Sequence, residues 1–374
     1  MLHPALAQLS NNLVYSAMAV YTLAMLAFAA ELAFGGRSRV GRLAAVAETA
    51  TEPQQARATG VPAQHGAAAI AAGTAASTAA TGTAASTAVL ARPDAASRAS
   101  LPPQGGGRGE DAPAHLGASD RFGRIAVRLT VLAAALHLGA VLARGLSVGR
   151  VPWGNMYEFS LAMSLGVSLV FLAMLTRHDL RYLGVFVVTP VLLTLGLAVT
   201  VLYVSAGQLM PALKSYWLAI HVTAAVIASG VFTLGAAVSV LYLLAERNER
   251  RIADGTVSAD SRLTRALSRV PASGTLDRTA YRVHAFGFPL WTFAVIAGAI
   301  WAENAWGRYW GWDPKETWSF ITWVVYAGYL HARATAGWRG RTAAIIALVG
   351  FSAMTFNYFA VNLLFFGKHS YSGL

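Results

Sequence analysis

The chain has 374 residues, of which 56% are hydrophobic and only 12% are charged, and its mean hydropathy is +0.50. Soluble domains contain about 25% charged residues, so this composition excludes an ordinary soluble domain and indicates a polytopic membrane protein. The net charge of +12 does not indicate nucleic acid as a partner, because the arginines lie between apolar segments, where they set orientation in a lipid bilayer.

Apolar runs long enough to cross about 30 Å of hydrocarbon predict an all-α membrane protein with about eight transmembrane helices. The runs lie near residues 13–34, 123–143, 159–176, 183–204, 217–245, 284–303, 317–333 and 342–365. The first run lacks a basic n-region and a clear cleavage site, which favours a retained helix over a signal peptide. An even number of helices places both termini on the same side of the membrane.

The distribution of Lys and Arg predicts which side that is. Alternate connecting segments (35–128, 177–182, 246–282 and 333–341) contain 23 of the 29 Lys and Arg residues, whereas the opposite side contains 6. The positive-inside rule therefore predicts that both termini lie outside the cytoplasm. We expect a multi-pass protein of the plasma membrane.

Residues 35–121 are rich in Ala, Thr, Ser, Gly and Pro and contain almost no large side chains. This composition predicts a disordered cytoplasmic linker between the first transmembrane helix (1–34) and a seven-helix domain (122–374). A ninth transmembrane helix in the Ala-rich part would move every later loop to the opposite side of the membrane, and the Lys and Arg residues would no longer be concentrated on one side. We therefore do not predict a ninth helix.

The segment "WGRYWGWDPKETW" (306–318) places four tryptophans within thirteen positions, next to Asp313. Tryptophans often form interfacial belts, but this density favours a binding surface. Two outward-facing segments each contain a histidine, His221 and His369. Imidazole is a common axial ligand of haem iron. If two imidazoles bound the iron from opposite faces of a porphyrin, the porphyrin ring would lie between them and could pack against an aromatic surface. The alternative is two structural histidines, because sequence spacing does not show that they meet.

The motif W-G-x-x-W-x-W-D resembles the tryptophan-rich WWD signature of haem-handling membrane proteins, here in a segment spanning 303–318. The chain is similar to cytochrome c biogenesis proteins of the CcsA/ResC type (CcsB in actinobacterial naming). The similarity also includes "NMYEF" (155–159), "YWLAIHV" (216–222) and "VNLLFFGKHSY" (361–371). It covers about residues 122–374 and the first transmembrane helix.

The resemblance implies three ligands of haem iron. His221 and His369 correspond to the two external ligands, and His331 corresponds to a ligand within the membrane. His331 lies fifteen residues beyond Glu316, about 22 Å along a helix, which places it in the inner half of the membrane, where we expect a buried side chain. We expect His137 to be structural, and His178 and His284 to be interfacial.

The resemblance also implies that Trp306, Trp310 and Trp312 bind the haem ring. Asp313 precedes a proline, and Asp-Pro is a common helix start, so we expect Asp313 to cap the following helix and to fix the shape of the segment.

The function implied by the resemblance is cytochrome c maturation, with haem b as the transported substrate. Haem would pass from the cytoplasmic side to the external site, and holocytochrome c synthase (haem lyase) activity would join it by thioether bonds to the C-x-x-C-H motif of apocytochrome c. The implied partners are apocytochrome c, a ResB-type membrane protein and thiol-reducing maturation proteins. The chain contains no cysteine, so both reacting thiols would belong to apocytochrome c.

Three alternatives stay open at the level of sequence. A haem exporter or chaperone without lyase activity would need the same ligands. A transporter of another substrate would be expected to show broken helices and an inverted repeat, and no convincing repeat is visible. A non-catalytic scaffold would tolerate loss of both external histidines.

Overall fold

The computed structural model describes residues 3–34, 114–205, 213–258, 261–365 and 367–368. These residues form α-helices joined by short connections, with one 3₁₀ turn at Arg181–Leu183 and no strand among them. The helices are α1 (Pro4–Phe34), α2 (Ala114–Val148), α3 (Met156–Leu175), α4 (Gly184–Thr200), α5 (Tyr216–Ala253), α6 (Arg262–Leu267), α7 (Ser273–Trp306), α8 (Pro314–Ala334), α9 (Arg341–Tyr358) and α10 (Ala360–Leu364).

Within the described ranges, seven helical segments are long and apolar enough to cross a membrane. They comprise α1, α2, α3, α4 with the preceding 3₁₀ turn, α5, α7, and α9 together with α10. The predicted all-α polytopic membrane fold is confirmed. Helix α8 coincides with the predicted transmembrane run 317–333 but is not among the seven. Its ends are polar, with Lys315 and Glu316 in the first turn and Arg333 in the last. That α8 crosses the membrane stays a prediction.

Helix α2 begins before the predicted domain boundary. Helix α2 begins at Ala114 rather than at residue 122, so residues 114–121, which the composition assigned to the disordered linker, continue the helix. The sequence there contains Ala, Leu and Arg, which are strong helix formers, and a helix that leaves the bilayer does not need apolar residues. The rest of the predicted linker lies outside the described residues.

Helices α1 and α2 pack along each other, as do α5 and α7. The largest apolar core is formed by buried residues of α1, α2, α3, α4, α5 and α7. Both α5 and α7 are longer than their predicted apolar runs, because each continues as a helix through polar sequence on the predicted cytoplasmic side. Helix α5 carries His221, and α7 carries Trp301 and Trp306.

A buried ion cluster fixes the connection between α2 and α3. The carboxylate of Glu158 is fully buried and accepts hydrogen bonds from Arg144 Nε (3.1 Å), Arg150 Nη1 (2.7 Å) and the Gly154 backbone N–H (2.7 Å). Removing one partner of such a cluster would leave a buried charge without its counter-charge, which is strongly destabilising. The "NMYEF" motif therefore has a structural role, since it supplies the carboxylate that holds this connection.

Candidate functional site

A cavity of about 430 Å³ lies among α3, α4, α5, α7, α8 and α9. The residues that line it include His221, Trp301 and Trp310, together with Thr233 farther along α5 and Trp291 nearer the start of α7. Most of its wall is apolar, and its volume is within the range of small-molecule sites, about 300–1,000 Å³. A large, mainly apolar ligand with one group that can bind imidazole would suit this space.

His221 lies near the start of α5, and its ring is held in one orientation. The Nδ1 atom is 2.7 Å from the backbone oxygen of Ala294 on α7. A carbonyl oxygen only accepts hydrogen bonds, so Nδ1 carries the proton and the lone pair of the neutral ring is on Nε2. The ring also stacks on the indole of Trp301, with centroids 6.1 Å apart and planes at 5°.

Gly298 of α7 makes room for this histidine. A Cβ atom at that position would lie 2.7 Å from Cε1 and 2.8 Å from Nδ1 of His221. Real Cβ atoms essentially never approach so closely, so any side chain at 298 would displace the imidazole. Ala294, Gly298 and Trp301 are spaced four and three residues apart and share one face of α7. The sequence shows this spacing, but it does not show that this face of α7 packs against His221, which lies on another helix.

The tryptophans of the WWD segment occupy three different environments. Trp306 ends α7 and packs edge-on against buried Trp301, with centroids 4.8 Å apart. Trp310 lines the cavity. Trp312 is 65% exposed and contacts Trp310 edge-on, with centroids 5.8 Å apart. The structure thus brings Trp310 and His221 to the same cavity, places Trp306 behind Trp301, and leaves Trp312 on the outer surface.

The predicted capping role of Asp313 is confirmed. Asp313 and Glu316 form a capping box at the start of α8, and Glu316 Oε2 also accepts a hydrogen bond from the Gly311 backbone N–H (2.7 Å). Asp313 has a second function, since its Oδ1 accepts a hydrogen bond from the Lys368 backbone N–H (3.1 Å). The WWD segment is therefore tied to the C-terminal segment. His369 follows directly in sequence and lies outside the described residues.

One expectation about histidine burial was wrong. His331 lies in the last turn of α8 with an exposed side chain, because its face of α8 does not pack on another described helix. His284 is fully buried inside the protein, within α7, and its interfacial position stays a prediction. Its ring packs against Tyr326 and Tyr329, with centroids 5.2 and 5.3 Å away.

Two further histidines are not among the residues that line the cavity. His137 is buried and packs edge-on against Tyr21, with centroids 6.1 Å apart, and its structural role stays a prediction. His178 is exposed in the connection between α3 and the 3₁₀ turn. Among the described residues, no group of three or more His, Cys, Asp or Glu side chains is arranged to hold a metal ion.

Comparison with known proteins places this membrane protein among those that assemble cytochromes c. Residues 153–369 match the family described as "Cytochrome C assembly protein". The chain is 36% identical over 289 residues to cytochrome c biogenesis protein CcsA of Microcystis aeruginosa, covering 67% of this chain and 87% of that protein. It is 38% identical over 277 residues to CcsA of Synechococcus elongatus, covering 64% and 84%.

The chain therefore belongs to the cytochrome c assembly protein family, and its role is in cytochrome c maturation. The resemblance to CcsA-type proteins is confirmed. Among solved structures, the cytochrome c haem lyase CcmF aligns with a TM-score of 0.47 and 19% identity over 66% of this chain. The alignment spans 42% of that longer protein.

Proposed function

We propose that this protein binds haem at its extracytoplasmic face through His221 and His369 and, with a ResB-type partner, attaches it to apocytochrome c. The observation that carries the proposal is the hydrogen bond from His221 Nδ1 to the Ala294 carbonyl. Metal-ligating histidines almost always donate their other ring N–H to a carbonyl, carboxylate or water, which fixes the tautomer and raises ligand basicity. His221 has this arrangement at the wall of an apolar cavity.

The aromatic residues near His221 support a flat, apolar ligand. Trp301 holds the imidazole plane by stacking, and Trp310 adds an indole to the cavity wall. The Asp313–Lys368 hydrogen bond draws the C-terminal segment to the WWD segment, which favours His369 as the second axial ligand.

The chemistry proposed for this site is thioether formation. Each cysteine thiol of the C-x-x-C-H motif adds across one haem vinyl group: a C–S bond forms to one vinyl carbon, and the other carbon gains a proton. The addition is redox-neutral, and both thiols come from apocytochrome c, since the chain has no cysteine. The protein's contribution is to position the ring, which lowers the barrier by restricting the reactants before reaction.

The inner site completes the proposed pathway. His331 would bind haem b in the inner half of the plasma membrane, with a ResB-type partner supplying the second ligand. An exposed histidine on a membrane helix suits a ligand shared with a partner, and an ionisable residue within the membrane is a functional candidate by default. Thiol-reducing proteins would keep apocytochrome c ready for reaction.

Co-expression with apocytochrome c and a ResB-type partner tests the proposal. We expect covalent haem on the cytochrome, and a purified complex with the Soret band of non-covalent, bis-imidazole haem. A complex that carries haem but leaves the cytochrome without covalent haem would support the alternative of a haem exporter. A complex without a Soret band when haem supply is ample would contradict both.

Changes to the WWD tryptophans separate a haem surface from an interfacial belt. We expect Trp310→Ala to leave the protein in the membrane at normal abundance and to weaken haem binding about two- to tenfold, the loss of one aromatic contact. Trp306→Ala and Trp312→Ala should also reduce bound haem and maturation. The control is Trp338→Ala, because Trp338 is a half-exposed tryptophan in the turn between α8 and α9. Equal effects at 310 and 338 would indicate a belt.

A further inference from the structure

Among the described residues, those that line the cavity extend no farther along α5 than Thr233 and no nearer the start of α7 than Trp291. Trp291 packs against Phe232, whose ring stacks on Tyr326 with centroids 3.9 Å apart, and neither of these two rings lines the cavity. Tyr326 is fully buried, and His284 and Tyr329 pack against one another on its inner side. This packed aromatic layer lies between the cavity and the part of α8 that carries His331.

The opposite side of α8 is open. Phe320, Val324, Gly328 and His331 all have exposed positions, and their spacing of four, four and three residues places them on one face of the helix. We call these four residues the α8 outer face. A helical side chain leans over the turn that precedes it, so His331 leans towards Gly328. A Cβ atom at Gly328 would meet nothing within 4 Å, which leaves open space beside the imidazole.

The α8 outer face is continuous with the WWD segment. Phe320 contacts Trp312 edge-on, with centroids 6.0 Å apart, and Trp312 contacts Trp310, which lines the cavity with His221. Trp312 has a φ of 55°, a left-handed conformation that is unfavourable for a bulky residue and that clusters at functional sites. Trp312 therefore joins the α8 outer face to the cavity around the edge of the segment.

We propose that haem at His331 lies against the α8 outer face beside Gly328, and reaches the outer site along Val324, Phe320 and Trp312 instead of through the bundle interior. The inference rests on the proposed inner haem site at His331. It assigns Gly328 as the residue that gives the porphyrin ring room, and Trp312 as the point where haem passes from the helix face to the cavity.

Four variants test this route in the full complex with its partner. Gly328→Leu fills the space beside His331, and Val324→Trp places a large ring farther along the α8 outer face. Gly196→Leu is the matched control, because Gly196 lies within transmembrane helix α4 and a Cβ there also meets nothing within 4 Å. His331→Ala removes the inner ligand. Each variant is also made in the His221→Ala background, where the haem that remains reports the inner site.

In the His221→Ala background, we expect Gly328→Leu to lower haem per protein by at least about fivefold, because the leucine side chain occupies space that the bound ring needs. His331→Ala should lower it at least as much, because it removes the inner ligand, and Gly196→Leu should leave it unchanged. Val324→Trp should keep inner haem in that background. With His221 present, Val324→Trp should lower covalent haem on cytochrome c by at least about fivefold, because the ring blocks transfer.

The outcomes separate the route from the proposed function. Haem retained by His331→Ala would overturn the inner site itself and the route with it. Haem lost in His331→Ala but kept in Gly328→Leu would overturn only its location beside Gly328. Normal maturation in Val324→Trp would overturn the path along the α8 outer face. Membrane abundance is measured for each variant. If Gly328→Leu is not inserted into the membrane, covalent haem on cytochrome c in the Val324→Trp variant decides whether haem moves along the α8 outer face.

Discussion

Replacement of His221 by alanine is expected to abolish covalent haem attachment to cytochrome c while the protein stays in the membrane. The change removes an axial ligand, and no other described histidine lines the cavity. Stability should change little, because the ring is partly exposed and its Nδ1 hydrogen bond is to a carbonyl that is also part of helix α7.

Added imidazole should partly restore activity to this variant. Alanine leaves a ring-sized space between Trp301 and Gly298, and an imidazole molecule in that space can donate to the Ala294 carbonyl and bind iron with its other nitrogen. The measurement is covalent haem on cytochrome c with and without imidazole. His178→Ala is the control, because His178 is exposed and is not among the residues that line the cavity. Wild-type maturation by His221→Ala would contradict the assignment.

The helices could be predicted from the sequence because the membrane imposes a local requirement. A run such as 183–204 must satisfy its backbone hydrogen bonds within itself to cross lipid, so hydropathy alone identifies α4. The capping of α8 was also local, since Asp313 and Glu316 lie three residues apart. Helix α2 begins eight residues before the predicted boundary at 122, because hydropathy does not detect a helix that continues out of the bilayer.

The parts of the site that were missed depend on contacts between distant segments. Gly298 matters only because His221, on another helix, packs against it. Similarly, the sequence places Trp310 and Trp312 two residues apart, but it does not show that Trp310 lines the cavity whereas Trp312 is mostly exposed. The exposure of His331 depends on which face of α8 meets its neighbours, and the polar pattern near the end of the helix does not determine it.

Replacement of Gly298 by valine is expected to reduce maturation about as strongly as loss of a residue that orients a metal ligand, roughly 10- to 100-fold. A side chain at 298 must push the imidazole away from Ala294, since even its Cβ would lie 2.7 Å from Cε1. The matched control is Gly196→Val, where a Cβ meets nothing within 4 Å. Covalent haem on cytochrome c and the Soret band of the purified complex are the two measurements.

A double mutant shows whether Gly298 acts through His221. If it does, Gly298→Val adds no further loss of haem to His221→Ala, because the energies of two residues in contact are not additive. It should nevertheless prevent rescue by imidazole, since the valine side chain occupies the space that the small ligand needs. If the losses of haem caused by the two substitutions are additive, valine at 298 disturbs α7 generally. If imidazole restores maturation to the double mutant as well as to His221→Ala, the ring of His221 does not occupy the space beside Gly298 when haem is bound.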